Sequence, residues 1–460
     1  MGTSSAVRAA PVIAIGIGVA SLIGIGMASG AAVAAPGDVG PVNPVTFPIN
    51  GHQANSGFTI FSEGNVALNA DEAEGTVAVG GDLTFESGYN IGAGATPPAT
   101  FVAPGDTAPT FLYVRGGVGF SSSPTTPVLK VLGGGLSKIA DTSTYTAYDH
   151  DNNNALVNYQ IVPTGAPYNT APRIEGTVTQ TPASIAAPVG TNLVDIDAAF
   201  PAYRQLSTDL GGCARTVQLT DTQGDPLQSP IAPGTSGRLT MTPGQTSVLS
   251  ISAADLAAIS EITFVAPLPD PTTPLVVNVV GTSFSGSIPN QAGIGSGQAP
   301  FMLWNFPQAT TVTVTGGDSI EGTIYAPRAF VNWQVTQNIE GNVIAASFTH
   351  GIPGVRGGPP REVHNFPFSA EVSCTKGNVT PTPTPTPTPT VTPTITPVPT
   401  PSFDPNGGTS PAAPGAAGTL ADSGSDTATA LGVAAAAAGA MVLGGALVLL
   451  RRTRRTRHQR

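Results

Sequence analysis

The sequence predicts a mainly β protein: a parallel β-solenoid-like domain with one or two short packed helices, a proline-rich stalk and a C-terminal transmembrane helix. Three observations carry this expectation. Glycine (56) and proline (45) together make up about 22% of the 460 residues, which excludes a helical chain throughout. Short apolar runs recur between glycine pairs, as strands separated by tight turns do. Charged residues are only 10% of the chain and mean hydropathy is +0.14, which excludes both a solvated disordered chain and a polytopic membrane protein.

Residues 1–34 read as a secretory signal. Arg8 supplies the positive start, Val12 to Met27 form an apolar run, and Ala32-Val33-Ala34 makes an A-x-A cleavage site. The folded region is expected over residues 45–375. Within it Glu74-Gly75-Thr76-Val77, Glu175-Gly176-Thr177-Val178, Glu321-Gly322-Thr323-Ile324 and Glu340-Gly341-Asn342-Val343 repeat one signature, the last two 19 residues apart. That spacing is about one coil of a stacked β-solenoid, with a β-sandwich as the alternative. Phe200, Tyr203, Leu206 and Leu210 recur every three or four residues and stop at Gly211-Gly212, so a short amphipathic helix is expected. Pro201 should then sit in its first turn, with Asp197 as its cap. Ser252-Ala253-Ala254-Asp255 resembles a capping box that opens a second small helix before Leu256 and Ile259.

Cys213 and Cys374 are the two cysteines. They lack CxxC or histidine spacing, so one disulfide is expected in an exported chain, with two separate thiols as the alternative. From Thr380 to Pro401 proline alternates with threonine, so residues 376–419 read as a stalk and linker: polyproline II first, then a looser Gly/Ala/Ser/Pro tether. Leu420-Ala421-Asp422-Ser423-Gly424 follows. An uncharged stretch, 428–450, comes next and is long enough to span a bilayer, and then a basic tail, 451–460, with six arginines that should stay cytoplasmic. Between residues 35 and 423 there are 27 acidic against 11 basic side chains, a net of −16 that repels phosphate backbones and argues against nucleic-acid binding.

Two likenesses follow from these residues. The order of pentapeptide, apolar span and basic tail is similar to the sorting signal of Gram-positive wall proteins, LPxTG or LAxTG, with Ser423 where threonine is usual. It implies a sortase that attacks at Ser423 and passes the chain to peptidoglycan; a retained membrane helix is the alternative. Phe58-Thr59-Ile60-Phe61, Glu74 through Leu83, Gly322 through Pro327, Ile339 through Ala345 and Glu362 through Phe368 resemble the choice-of-anchor A family over roughly residues 50–370. That resemblance implies a bacterial surface protein with an adhesive β-solenoid and no transferable catalytic residues.

Chemistry-bearing constellations are sparse. The carboxylates are scattered in sequence, and His52, His150, His350 and His364 lack metal-ligand spacing, so neither catalysis nor a cofactor is expected. Asp149, Asp151 and Asn153 match the first ligands of a calcium loop, but Asn154 and Gln160 stand where glycine and glutamate belong, which favours an Asx-rich surface turn. Thr311, Thr313 and Thr315 share one strand face, as in solenoids that bind ice; a single such row reads as an ordinary polar face. Trp304, Trp333 and Tyr325 are core candidates first and binding aromatics second. The expectation is a non-catalytic, adhesin-like cell-surface protein that meets an extracellular matrix protein or glycan. Its rivals are a polysaccharide-active enzyme, which would need at least three carboxylates converging in one groove, and a passive coat.

Overall fold

The structure, a computed structural model, describes residues 38–86, 88–94, 100–120, 127–352 and 361–377. The chain divides into two units, Met1–Thr384 and Pro385–Arg460, and every described residue belongs to the first. The expected signal segment, the sorting-like motif 420–424, the apolar span 428–450, the basic tail and nearly all of the stalk lie outside the described residues. Among the described residues no helix is long and apolar enough to cross a membrane.

The described unit is mainly β, and its strands stack in parallel register as successive coils. Each coil visits up to three ladders, here called faces A, B and C. One coil runs Val77–Val79 on A, Leu83–Phe85 on B and Tyr89–Ile91 on C. The turn between A and B is tight because Gly80 and Gly81 form it. A Cβ on Gly80 would lie 2.0 Å from the Glu63 carbonyl oxygen of the neighbouring coil. The turn from C back to A carries the repeated Glu-Gly signature. Gly322 there has φ +115°, and a Cβ would meet the Met302 carbonyl oxygen at 2.6 Å, so no other residue fits. Glu321 pairs with Glu340 and Ile324 with Val343, which makes the 19-residue spacing one coil. Glu175-Gly176 departs from the pattern: it lies in the strand Arg173–Gly176, and no face A strand follows it.

Stacking order is not chain order. Face A is a ladder of nine strands, from Leu136–Ile139 at one end through Ile60–Ser62 and Val343–His350 in the middle to Ser247–Ser252 at the other end. The chain therefore winds outward from the middle, passes to the opposite end, and winds back until Val343 meets Ile60. Antiparallel pairing occurs in a hairpin of Tyr145–His150 with Leu156–Pro163, and where Val39–Val42 pairs with Val372–Cys374.

Among the described residues there are three α-helices: α1 (Pro182–Ala186), α2 (Ile196–Gly211) and α3 (Ala253–Ala258). Two expectations about α2 are corrected. Asp195, not Asp197, caps it, accepting from Ala198 N–H at 3.0 Å, while Asp197 points outward and pairs with Arg115 at 2.5 Å. The helix thus starts earlier than its aromatic spacing indicated, and Pro201 is its sixth residue, beyond the first turn, on the exposed side. Ser252 caps α3 as expected, but Ile259 already begins the strand Ile259–Val265. α3 packs beside the last face B strand, Ser283–Ile288, at the end of that ladder.

Two cores result. Inward side chains such as Ile60, Val77, Val79, Leu83, Trp304 and Trp333 fill the coils. Outward side chains of face A, among them Phe61, Ala78, Tyr113, Tyr325 and Ile344, form a second core against Phe200, Tyr203 and Leu210 of α2. Phe61 stacks on Phe200 at 5.6 Å between ring centroids, and Tyr203 meets Tyr325 edge-on at 5.7 Å. The end of α2 is fixed by a buried polar ladder. Asn305 Nδ2 donates to the Ser207 carbonyl at 2.9 Å and to Asn278 Oδ1 at 2.8 Å, and Asn278 Nδ2 donates to the Leu210 carbonyl at 2.8 Å. Cys213, just past α2, is bonded to Cys374, their Cα atoms 5.7 Å apart.

Candidate functional site

The three faces differ in what they present outward, and that difference decides where a partner can bind. Face A is apolar and lies under α2. Face C is charged. Face B combines a polar outer surface with the absence of any covering helix over its central strands among the described residues.

On face C the carboxylates that are scattered in sequence come together. Glu321 stacks on Glu340, and His364 donates from Nδ1 to Glu340 and from Nε2 to Glu362, each at 2.7 Å. With both ring nitrogens donating, the imidazolium form is held. Its pKa rises to about 9, chiefly through the Glu340 hydrogen bond and then through Glu362. Burial, and after it the nearby Glu340 and Asp318 charges, push the Glu321 carboxyl up to about 7. The cluster is thus a clasp: the histidine has no free basic nitrogen, and Glu340 and Glu362 are already committed to it. Among the described residues no group of three His, Cys, Asp or Glu is placed to hold a metal ion.

Face B is a ladder of seven strands. Gly119, Thr84, Ala67, Thr349, Asn332, Thr313 and Ser285 stand in one register row across it, each exposed or half-buried. Thr311–Thr315 therefore does not stand alone: Thr313 continues a row of small, mostly polar side chains from coil to coil. A second row beside it includes Ser347, Phe330, Thr311 and Ser283. Among the described residues Phe330 is the one large aromatic among the exposed apolar side chains, 39% accessible. Trp304, Trp333 and Tyr325 are fully buried, so the strand Thr323–Trp333 directs Val331 and Trp333 inward and Phe330 and Asn332 outward. That period-two alternation was present in the sequence and is the signal that singles out Phe330.

Across the middle of face B runs a trough of about 670 Å³. Ala67, Asp82, Thr84, Gly119, Asp141 and Thr349 are among the residues that line it, and Phe330 lines it from the strand at one end. Asp82 Oδ1 accepts from Gly117 N–H at 2.8 Å, and Asp141 Oδ1 accepts from the Ser143 hydroxyl at 2.6 Å and its N–H at 3.0 Å. Those Ser143 bonds hold the Asp141 carboxyl below the usual carboxylate range.

The remaining sequence candidates lie elsewhere. Asp149 lies in the strand Tyr145–His150, and Asp151 and Asn153 sit in the turn of the antiparallel hairpin that follows it. Asp151 Oδ1 accepts from Asn153 and Ala155 N–H at 2.8 and 2.9 Å, and Asp149 is bonded to His150 at 2.8 Å, the geometry of an Asx turn. Gln160 lies in the strand behind, its Oε1 accepting from Asn169 N–H at 3.0 Å.

Stacked coils with one helix-covered face and one open polar face define a β-solenoid-like module. The family model described as "Putative Ice-binding-like adhesive domain" matches residues 51–355, about two-thirds of the chain, and the chain belongs to that family. No curated protein matches it.

Proposed function

We propose that this is a non-catalytic, adhesin-like protein of the cell surface, and that face B is its binding surface. The observation that carries the reading is the seven-strand, mostly polar row of face B, in register and uncovered, on a scaffold whose face A is covered by α2. A row of short side chains on paired strands loses little conformational entropy on binding, so such a face is preorganised for a partner. Membership in an adhesive-domain family supports the same role. The likeness to choice-of-anchor A proteins, the proline-rich stretch 376–419, the sorting-like motif 420–424 and the span 428–450 extend it. In this reading the domain is displayed on a stalk and held by peptidoglycan after sortase cleavage, or by the membrane. Its ligand is an extracellular glycan or matrix protein. The clasped state of Glu340, His364 and Glu362 weighs against an enzyme of the polysaccharide-cleaving kind.

A second reading has one observation in its favour: Thr84, Thr349 and Thr313 repeat along one row, as an ice-facing surface requires. The trough and Phe330 interrupt that plane, which favours a molecule that enters over a flat lattice.

The test displays the full chain on cells and exchanges Thr84, Thr349 and Thr313 together for glutamate. Adhesion to glycan- or matrix-coated surfaces should fall to background. Parental adhesion in the triple variant rejects face B, failure of the parent to adhere to anything favours a passive coat, and parent-specific reshaping of growing ice favours the second reading. Leu420→Ala should move the protein out of the wall fraction; unchanged attachment rejects sorting.

A further inference from the structure

We infer that the face B trough is a binding site for a neutral, hydroxyl-rich oligosaccharide; this rests on the reading of face B as the binding face and names its ligand class. The shape comes first. The trough crosses five strands, from Val118–Phe120 to Thr323–Trp333, so at about 4.8 Å per strand step it is about 19 Å long, suited to an extended chain of linked rings. A peptide is the poorer fit. Peptides that bind sheets add to an open edge through main-chain hydrogen bonds, whereas this trough runs across the strands, and of its five strands all but Val118–Phe120 pair on both sides.

The chemistry narrows the ligand further. Asp82 and Asp141 each use one carboxylate oxygen internally, and the second oxygen of each accepts no hydrogen bond among the described residues. Those oxygens are strong acceptors for hydroxyl donors, because a hydrogen bond to an ionised group is worth more than a neutral one. Thr84 and Thr349 add hydroxyls that both donate and accept. Among the described residues no lysine, arginine or histidine lines the trough, whereas Asp82 and Asp141 do, so a ligand bearing phosphate, sulfate or carboxylate would be disfavoured. At one end Phe330 offers a ring in a row otherwise made of Ser347, Thr311 and Ser283, suited to the C–H face of a pyranose. A volume of about 670 Å³ lies within the usual range of small-ligand clefts.

The full chain, purified in detergent, is applied to an array of neutral, amino and acidic oligosaccharides, and the best neutral binder is titrated by calorimetry against the parent and three variants. Phe330→Ala and Asp141→Asn should each weaken binding at least tenfold. Lys130→Gln, on face C, should leave it unchanged. Thermal melts of all variants should match the parent, since Phe330 is partly exposed and Asp141 fully so. Preference for acidic glycans, binding indifferent to both trough variants, or no glycan bound at all overturns the inference. If no glycan binds yet the Thr84/Thr349/Thr313 triple variant loses adhesion, only the sugar assignment fails. If the triple variant adheres like the parent, the reading of face B fails with it.

Discussion

Cys213 and Cys374 are 161 residues apart in sequence, and their bond closes every coil from Thr235–Thr240 to Glu362–His364 into one loop. Exchanging both for serine removes that constraint from the unfolded chain. For a loop of this length the chain-entropy model gives about 5 kcal/mol at 25 °C. Spread over the span 38–377, with about 2 cal/mol/K of unfolding entropy per residue, this corresponds to a fall in Tm of about 7 °C. The bond also ties the end of α2 to the strand Val372–Cys374, which pairs with Val39–Val42, so its loss should loosen that strand pair first. The assay is equilibrium urea unfolding, with a thermal melt of the parent, the parent under reductant and the Cys213→Ser/Cys374→Ser variant. The reduced parent and the variant should coincide, both below the oxidised parent. A variant that melts within about 1 °C of the oxidised parent would refute the reasoning, because a closed loop of this size cannot be removed without effect.

Three further outcomes follow from buried polar groups. Asn305→Ala leaves the Ser207 and Asn278 groups beneath α2 without partners and should cost about 2–3 kcal/mol in urea unfolding; a loss under 1 kcal/mol would mean that water replaces the amide. His350 is fully buried, and burial followed by the Arg361 charge lowers its pKa to about 3, so the unfolded chain takes up its proton first as pH falls. Its contribution is complete above about pH 6.5 and is lost as pH falls towards 3. Between pH 7 and 4.5 the parent should therefore lose about 3 kcal/mol more stability than His350→Phe, and equal losses would contradict the assignment. For His364 the sign reverses: with its pKa raised to about 9, the stability it adds is complete below about pH 6.5 and is lost as pH rises through 9. A ring-proton NMR titration should find its midpoint near 9, and a midpoint near 6.5 would dissolve the clasp.

Much of the coil architecture was legible because its constraints are local. Glu-Gly marks a turn that only glycine can make, and period-two alternation marks which side chains enter the coil, so the strands around Gly322 and Gly341 could be placed from sequence. The error in α2 was also local in origin: Asp195 and Asp197 are both capping residues, and the aromatic spacing that begins at Phe200 cannot say which is used. Asp197 was available to Arg115, 82 positions away, and that pairing is invisible without the fold. The trough was illegible for the same reason. Asn65 and Ala67 become neighbours of Ser347 and Thr349 only because the winding reverses, and the charged clasp joins Glu340 to Glu362 and His364 of the next coil. Sequence spacing reports contacts within a coil, whereas these are contacts between coils.

The position of the trough has a consequence for how binding depends on folding. It straddles the seam where the coil that begins at Ile60 stacks on the coil that begins at Val343, the two being joined through Ile60–Val343, Phe61–Ile344 and Ser62–Ala345. Asp82, Thr84 and Asp141 come from the outward-winding half, and Phe330, Ser347 and Thr349 from the returning half. Neither half alone can form the site, however well its own coils stack. The seam closes about 280 residues of chain, so its loop-closure entropy has to be met before any seam contact forms, and coils within each half are expected to form first. α2 opposes late opening of the seam, because it lies along face A and packs on Phe61 from one half and Tyr325 from the other. The helix that covers one face is thus what keeps the trough on another face whole, and a substitution beneath α2 should weaken binding at face B without touching it.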